Sequence, residues 1–422
     1  MLVNRSIFAG LFVLILERFL QIITAIYANH LISNALPIEQ FGIWQYAFTL
    51  TNILMSLTWM CGSESVVPQL SRLSLHKKLV YCNTIFFARL SISSLVALSS
   101  IILALTAKNE IVSYYLLFSS ITILVREPLM VGFAKWQSEG KLYLSGIIQI
   151  FGCIIRIFTL YYLFIIIGFN LKFLSLPWVL EGIFVAIIMY CCSIRTLPKI
   201  KLLHFNELII LLKRSVFIWG GVIAYTLFIK IDRFLLKDNI SSIDYSIYSA
   251  ASQINENTIS ITLILIQVLA PILLYRNRNW NVFNRNLIIL SVTMFIVFLL
   301  FSISLKPFTP FIFTFIFGND YITSSYYYNI LVFLLPFLAV DNLINAANLA
   351  SKSYYYFTLK WCIIFLVFLV IYSTLKIFSI TTPIFSIFIS LYASLFLSIL
   401  ISTYWYLTIT KKHLMEQERI ND

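Results

Sequence analysis

The stretch from Leu287 to Leu305 reads LIILSVTMFIVFLLFSISL, and that from Pro383 to Ile409 reads PIFSIFISLYASLFLSILISTYWYLTI, neither with a charged residue. Runs of this length cross a hydrocarbon core as α-helices, each needing roughly 20 mainly apolar residues. The pattern recurs along the chain. With 60% of 422 residues apolar and 11% charged, the apolar stock supplies about twelve spans. Backbone in lipid must satisfy its own hydrogen bonds, and the apolar runs are continuous rather than alternating, so the sequence predicts an all-α polytopic membrane protein and not a barrel. The same figures exclude disorder, a disulfide-dense secreted fold and a large soluble domain on an anchor.

The expected spans run near residues 7–33, 38–62, 79–105, 111–131, 143–167, 173–192, 216–236, 243–275, 287–305, 326–349, 361–376 and 383–409. The longest polar connection, residues 193–215, divides six spans from six. It gives an N-terminal six-helix lobe (1–192), a cytoplasmic connection (193–215) and a C-terminal six-helix lobe with a short cytoplasmic tail (216–422). The connection alternates Lys, His, Asn and Glu with Leu and Ile, which suits an interfacial helix or a solvated linker.

A net charge of +13 could serve nucleic acid, but its distribution points to orientation in a bilayer instead. With the N-terminus inside, nineteen of the thirty Lys and Arg residues fall in cytoplasmic segments, five outside and six at membrane depth. This asymmetry places both termini in the cytoplasm. Glu17 and Arg18 interrupt the first apolar run, so it does not read as a cleaved signal peptide. The six cysteines lie in or beside apolar stretches without CxxC spacing, and the four histidines stand far apart. No metal site is expected from them.

The halves carry a weak parallel repeat. In the second span Gln45, Thr49, Asn52, Ser56 and Ser63 share one narrow helical arc, and Ser249, Gln253, Glu256, Ser260 and Gln267 occupy those positions in the eighth span at a constant offset of 204. Phe41-Gly42-Ile43-Trp44 maps onto Tyr245-Ser246-Ile247-Tyr248 at the same offset. The pseudo-two-fold repeat predicts a polar stripe lining a cavity, as in duplicated transporters; helix packing by small polar residues is the competing explanation.

Ionisable groups at bilayer depth are costly and mark function by default. Arg18 and Arg156 lie mid-span and continue less apolar faces, so both are expected to enter a cationic, substrate-binding cavity. Arg89, Lys230 and Arg233 join them or snorkel from nearer the span ends. Arg126-Glu127-Pro128 reads as a paired charge at a helix end. Among the acids, Glu256, Asp232, Glu64 and Asp341 are candidates for proton or sodium coupling, with structural ion pairing as the alternative. No glycine-rich phosphate loop, nucleophile elbow or HExxH occurs, so no catalytic residue and no cofactor is expected. The clusters Tyr326 to Tyr328 and Tyr354 to Tyr356 suit interfacial belts, or stacking on sugars.

Four segments in order, PIEQFGIWQYA from Pro37, REPLMVGFAKWQSEGKL from Arg126, IDRFLL from Ile231 and IFGNDY from Ile316, together with a six-plus-six plan, resemble the Wzx-type polysaccharide flippases of the multidrug, oligosaccharidyl-lipid and polysaccharide exporter superfamily. Relatives often carry an arginine shortly before the Phe41-Gly42 pattern. Here that stretch reads YANHLISNALPIEQFG, so no anion contact is carried over to Asn29 or His30. The resemblance implies a transporter, not an enzyme, in the bacterial cell inner membrane. It would flip an undecaprenyl-diphosphate-linked oligosaccharide to the periplasmic leaflet by alternating access, for O-antigen or capsule synthesis. Partners so implied are membrane lipids, a coupling proton or sodium ion, and glycan polymerase and chain-length proteins. A multidrug or small-solute exporter of the same superfamily is one alternative. A membrane-embedded glycan polymerase or ligase is another, although such enzymes carry a large extracytoplasmic loop and the outside loops here are short.

Overall fold

The computed structural model describes residues 2–71, 73–168, 170–194, 205–270, 280–350 and 354–412. Part of the inter-lobe connection (195–204), the end of the expected eighth span (271–275) and the tail beyond residue 412 lie outside the described residues. The remainder is nearly all helical, and no strand occurs among the described residues.

The helices in the first part of the chain are α1 (Leu2–Ala35), α2 (Ile38–Leu57), α3 (Ser63–Leu70), α4 (Leu75–Thr106), α5 (Glu110–Leu129), α6 (Val131–Ser138), α7 (Leu142–Tyr161) and α8 (Leu176–Met189). Then follow α9 (Phe205–Lys237), α10 (Ser242–Ala270), α11 (Trp280–Leu305), α12 (Thr309–Phe317), α13 (Ser324–Leu331), α14 (Leu334–Ala350), α15 (Tyr354–Ile377) and α16 (Pro383–Trp405). Setting aside the short α3, α6, α12 and α13, the long helices follow the expected spans. Ten segments are long and apolar enough to cross a membrane, which makes the chain a multi-pass membrane protein. The segments that fall short of that measure are α2 and α10, the two helices that bear the repeated polar stripe.

Prolines set several boundaries. Pro37 stands at the N-cap of α2, Pro177 and Pro383 occupy the first turns of α8 and α16, and Pro128 sits in the last turn of α5 just before the chain breaks into α6. The Asn109 side chain caps α5 by accepting a hydrogen bond from the Ile111 amide at 2.9 Å. The expected tenth span is divided at residues 332–333 into α13 and α14, and the expected eleventh starts earlier, since α15 takes in Tyr355, Tyr356 and Lys360. α9 likewise begins at Phe205, so residues 205–215 continue without a break into the seventh span.

The chain forms two compact units, Met1–Ile223 and Ala224–Asp422. In the first, α4 packs on α5, α1 on α7, and α8 on both α5 and α7, while α2 lies against α5. Gly182 makes the α5 to α8 approach possible: a Cβ there would stand 2.7 Å from Thr122 Cγ2. In the second unit α16 packs on α15 and α14, α14 on α11, and α10 on α13 and α14. Ser386, Ser390, Ser394, Ser398 and Ser402 form a completely buried ladder along α16. Small residues every fourth position let helices approach closely in lipid, where no hydrophobic effect draws one helix to another.

Candidate functional site

In the first unit Arg156 projects from α7 toward Glu181 on α8. Its Nε and Nη2 donate to the two carboxylate oxygens at 2.5 and 2.8 Å, a bidentate pair. Glu181 is buried and Arg156 nearly so, with side chains 3% and 12% exposed. Gly152, one turn before Arg156, provides the room for the acid, because a Cβ there would meet Glu181 Cγ at 3.1 Å. Glu17 on α1 lies within electrostatic range of both Glu181 and Arg126.

Glu17 and Arg18 point to different sides of α1, as a 100° step requires. Glu17 is buried and accepts from Gln21 Nε2 at 2.5 Å, while Arg18 donates to Gln21 Oε1 at 2.9 Å and keeps a half-exposed side chain 3.6 Å from Glu17. Gln21 therefore bridges the two charges.

Arg89 on α4 is buried and stands 3.9 Å from Glu127, which also accepts from Thr58 Oγ1 at 3.3 Å. The acid of the Arg126-Glu127-Pro128 segment thus faces a cation on another helix. Gln45, Thr49 and Ser56 on α2 are buried in the packing of their own unit, Gln45 donating to Asn29 at 3.1 Å, whereas Asn52 is half-buried. Glu64 lies on α3, and its side chain is outside the described residues.

The second unit holds two centres. At the first, Glu256 on α10 accepts from Lys230 Nζ at 2.6 Å and from Arg233 Nη2 at 2.7 Å, both cations projecting from α9. Arg233 is completely buried and reaches Gln253 Oε1 and Ser252 Oγ at 3.3 and 3.2 Å. Asp232 accepts from Tyr248 and Ser252 hydroxyls at 2.7 and 2.9 Å and from the Arg233 amide at 2.8 Å. A small cavity of about 20 Å³ touches Asp232, Ser252, Asn255 and Glu256 and is otherwise walled by apolar side chains including Phe228 and Leu334. That is room for about one water molecule. Asn255 Oδ1 is buried without a hydrogen-bond partner among the described residues. Ser249 and Gln253 are buried, and Ser260 is half-buried.

At the other centre Lys360 on α15 donates to Asp341 Oδ1 and Oδ2 at 2.8 and 2.6 Å and to Asn345 Oδ1 at 2.8 Å. Ser402 donates to Asp341 at 2.7 Å and Tyr356 to Asn345 at 2.8 Å, so α14, α15 and α16 share one network. Both ion-pair side chains have 0% exposure. Lys360 was expected in a cytoplasmic loop; it lies inside the bundle because α15 begins earlier than hydropathy suggests. Tyr356 is likewise a buried member of this network, while Tyr355 is exposed. Sequence reasoning could have found Lys360 by its position one helical turn after Tyr356, on the same face of α15.

Each expected cation thus faces an acid of its own unit: Arg18 meets Glu17, Arg89 meets Glu127, Arg156 meets Glu181, and Lys230 and Arg233 converge on Glu256. Of the acids put forward for coupling, Glu256 forms ion pairs with expected cations, whereas Asp341 pairs with Lys360. The motif residues play related parts: Asp232 and Arg233 of IDRFLL form a centre, and Glu127 of REPLMVGFAKWQSEGKL faces Arg89. Among the described residues no group of three or more His, Cys, Asp or Glu could hold a metal ion.

No protein-family model and no curated protein matches the sequence. Solved structures do resemble the chain. The inward-facing form of a multidrug resistance MATE family transporter of the MOP superfamily superposes with a TM-score of 0.70 at 11% identity over 96% of each chain. The inward closed form of the lipid II flippase MurJ does so with a TM-score of 0.68 at 14% identity, over 95% of this chain and 89% of that one. A MOP superfamily transporter from Pyrococcus furiosus, described as having a binding pocket of reverse polarity, gives 0.65 at 13% identity over 94% and 95%. The chain therefore has the two-lobe helical fold of MOP superfamily transporters.

Proposed function

We propose that the protein moves an undecaprenyl-diphosphate-linked oligosaccharide from the cytoplasmic to the periplasmic leaflet of the bacterial inner membrane, with both termini cytoplasmic, as a step in O-antigen or capsule synthesis. The observation that carries this reading is the Arg156–Glu181 pair: a guanidinium at bilayer depth, gripped by one carboxylate, on a fold shared with a lipid II flippase. A diphosphate offers the same fork of oxygens as the carboxylate. Substrate therefore exchanges with Glu181 for Arg156, and the half-exposed Arg18 supplies a second cation. Asp232, Glu256 and the cavity beside them offer a coupling site for a proton or sodium ion. A glycan polymerase and chain-length protein would receive the product.

The test is cellular. Cells lacking the protein should accumulate lipid-linked glycan on the cytoplasmic leaflet, and the wild-type gene, but not one encoding Arg156→Ala, should clear it. Clearance by Arg156→Ala in full would remove the pair from the mechanism.

A second reading, export of a cationic or amphiphilic small solute, is favoured by one observation. The membrane-depth cations are neutralised by acids within their own unit. Drug accumulation in cells lacking the protein, with glycan distribution unchanged, would select it.

A further inference from the structure

The tenth span breaks beside the small cavity of the second unit. Pro336, in the first turn of α14, has no N–H to offer Val332 O four residues back, and its ring crowds that carbonyl. Val332 O instead accepts from the Leu335 amide at 3.1 Å and from Ser302 Oγ on α11 at 3.1 Å, while Ile330 O accepts from the Tyr392 hydroxyl on α16 at 2.6 Å. Side chains of two neighbouring helices thus hold the break. Leu331 and Leu334, which flank it, wall the cavity of about 20 Å³ together with Asp232, Ser252, Asn255 and Glu256.

One polar atom of this wall calls for a donor. Asn255 is 5% exposed, and its Oδ1 is buried with no hydrogen-bond partner among the described residues. The donors of the centre are committed elsewhere: Lys230 and Arg233 to Glu256, and the Tyr248 and Ser252 hydroxyls to Asp232. A buried amide oxygen left unpaired is costly, so its donor comes from outside the chain. The volume admits a single water molecule, which needs two or more polar partners. Such a water donates one hydrogen to Asn255 Oδ1 and the other to Asp232 or Glu256, whose carboxylate oxygens keep lone pairs beyond their present bonds. A sodium ion does not suit the charge. Asp232 and Glu256 are already balanced by Lys230 and Arg233 around the cavity, and a further cation would be buried without compensation.

We propose that the cavity at the break of the tenth span binds one water molecule, on Asn255 Oδ1 and the neighbouring carboxylates, and does not bind sodium. This deepens the reading of the centre as a coupling site and, for its consequence, rests on that reading: the ion coupled here is a proton, which reaches the acids through the bound water.

The test is X-ray footprinting of the full chain in lipid nanodiscs. Hydroxyl radicals form from water and oxidise the side chains next to it, so a buried side chain is oxidised where water is held beside it. Phe228 and Leu334, 2% and 4% exposed, should be oxidised about tenfold faster than Phe313 and Phe298, which are as deeply buried, at 0% and 4%, and do not line the cavity. Asn255→Leu, which removes the acceptor at similar size, should bring Phe228 and Leu334 down to the level of those controls. Sodium added to a sodium-free buffer should leave the wild-type pattern unchanged. Equal oxidation of Phe228, Leu334 and the controls in the wild type would overturn the proposal, and so would oxidation that falls as sodium is added, since the ion would then be displacing the water. Both decisive comparisons use the unsubstituted chain, so they stand even if Asn255→Leu does not fold. The footprint also needs no transport: undiminished export after the proton gradient is dissipated would overturn the coupling step while the water site stood.

Discussion

Arg156–Glu181 and Lys360–Asp341 are both cation-carboxylate pairs at bilayer depth, yet their settings differ. The first is a single bidentate clasp between two helices, with part of the arginine side chain accessible. The second has no accessible surface and is enclosed by Asn345, Tyr356 and Ser402, so three helices converge on it. Burial separates their capacities. A sealed and saturated pair can only hold helices in place, whereas a pair at an edge, with one partner partly free, can exchange that partner for a ligand.

The largest effect expected from this contrast is on the sealed pair. Lys360→Met leaves the Asp341 carboxylate buried and uncompensated, at a cost of roughly 3–5 kcal/mol. Folded yield and unfolding midpoint in detergent should collapse, and Asp341→Leu combined with Lys360→Met should recover most of the loss. Collapse in the double variant as well would show that the ion pair itself, and not the uncompensated charge, matters.

Next in size is Arg156→Ala, which removes from the transported anion a charge-assisted contact worth about 1.5–3 kcal/mol. Export should fall about tenfold or more while the inserted protein remains, and Arg156→Lys should keep part of it because a point charge still attracts phosphate. If Arg156→Ala lost folded yield as severely as Lys360→Met, the distinction between clasp and framework would fail.

Glu256→Gln probes an intermediate case. Lys230 loses its acid, whereas Arg233 keeps Gln253 and Ser252. A loss of about 1–3 kcal/mol in unfolding free energy is expected. A result as large as that for Lys360→Met would move this centre into the framework class.

The smallest effect should come from Asn109→Ala, which removes the α5 N-cap at about 1 kcal/mol. It sets the scale of a local change remote from any charge, read as a shift in the same unfolding midpoint with export unaltered.

Much of the plan was legible in the sequence because transmembrane helices announce themselves by length and hydropathy. The long helices fall where the apolar runs do, and Arg156, Lys230 and Arg233 were recognisable as depth-placed charges. Their pairing was not legible. Arg156 and Glu181 are separated by a loop and lie on different helices, and a hydropathy profile has no information about which faces meet. Lys360 was misplaced because it sits near the start of α15, where polar residues resemble a loop until the helix is known to extend back to Tyr354. The break between α13 and α14 was hidden for the opposite reason: both sides of residues 332–333 are apolar.

The low hydropathy of α2 and α10 bears on how the chain is made. The polar stripe on each raises the cost of entering a bilayer singly, and a neighbour that covers the polar face lowers it. For α10 that neighbour is already beside it: α9 precedes it by a turn of four residues, 238–241, and supplies Lys230 and Arg233 to Glu256. The charges that make each helix costly to insert singly are the ones that make the α9–α10 hairpin insertable as a unit.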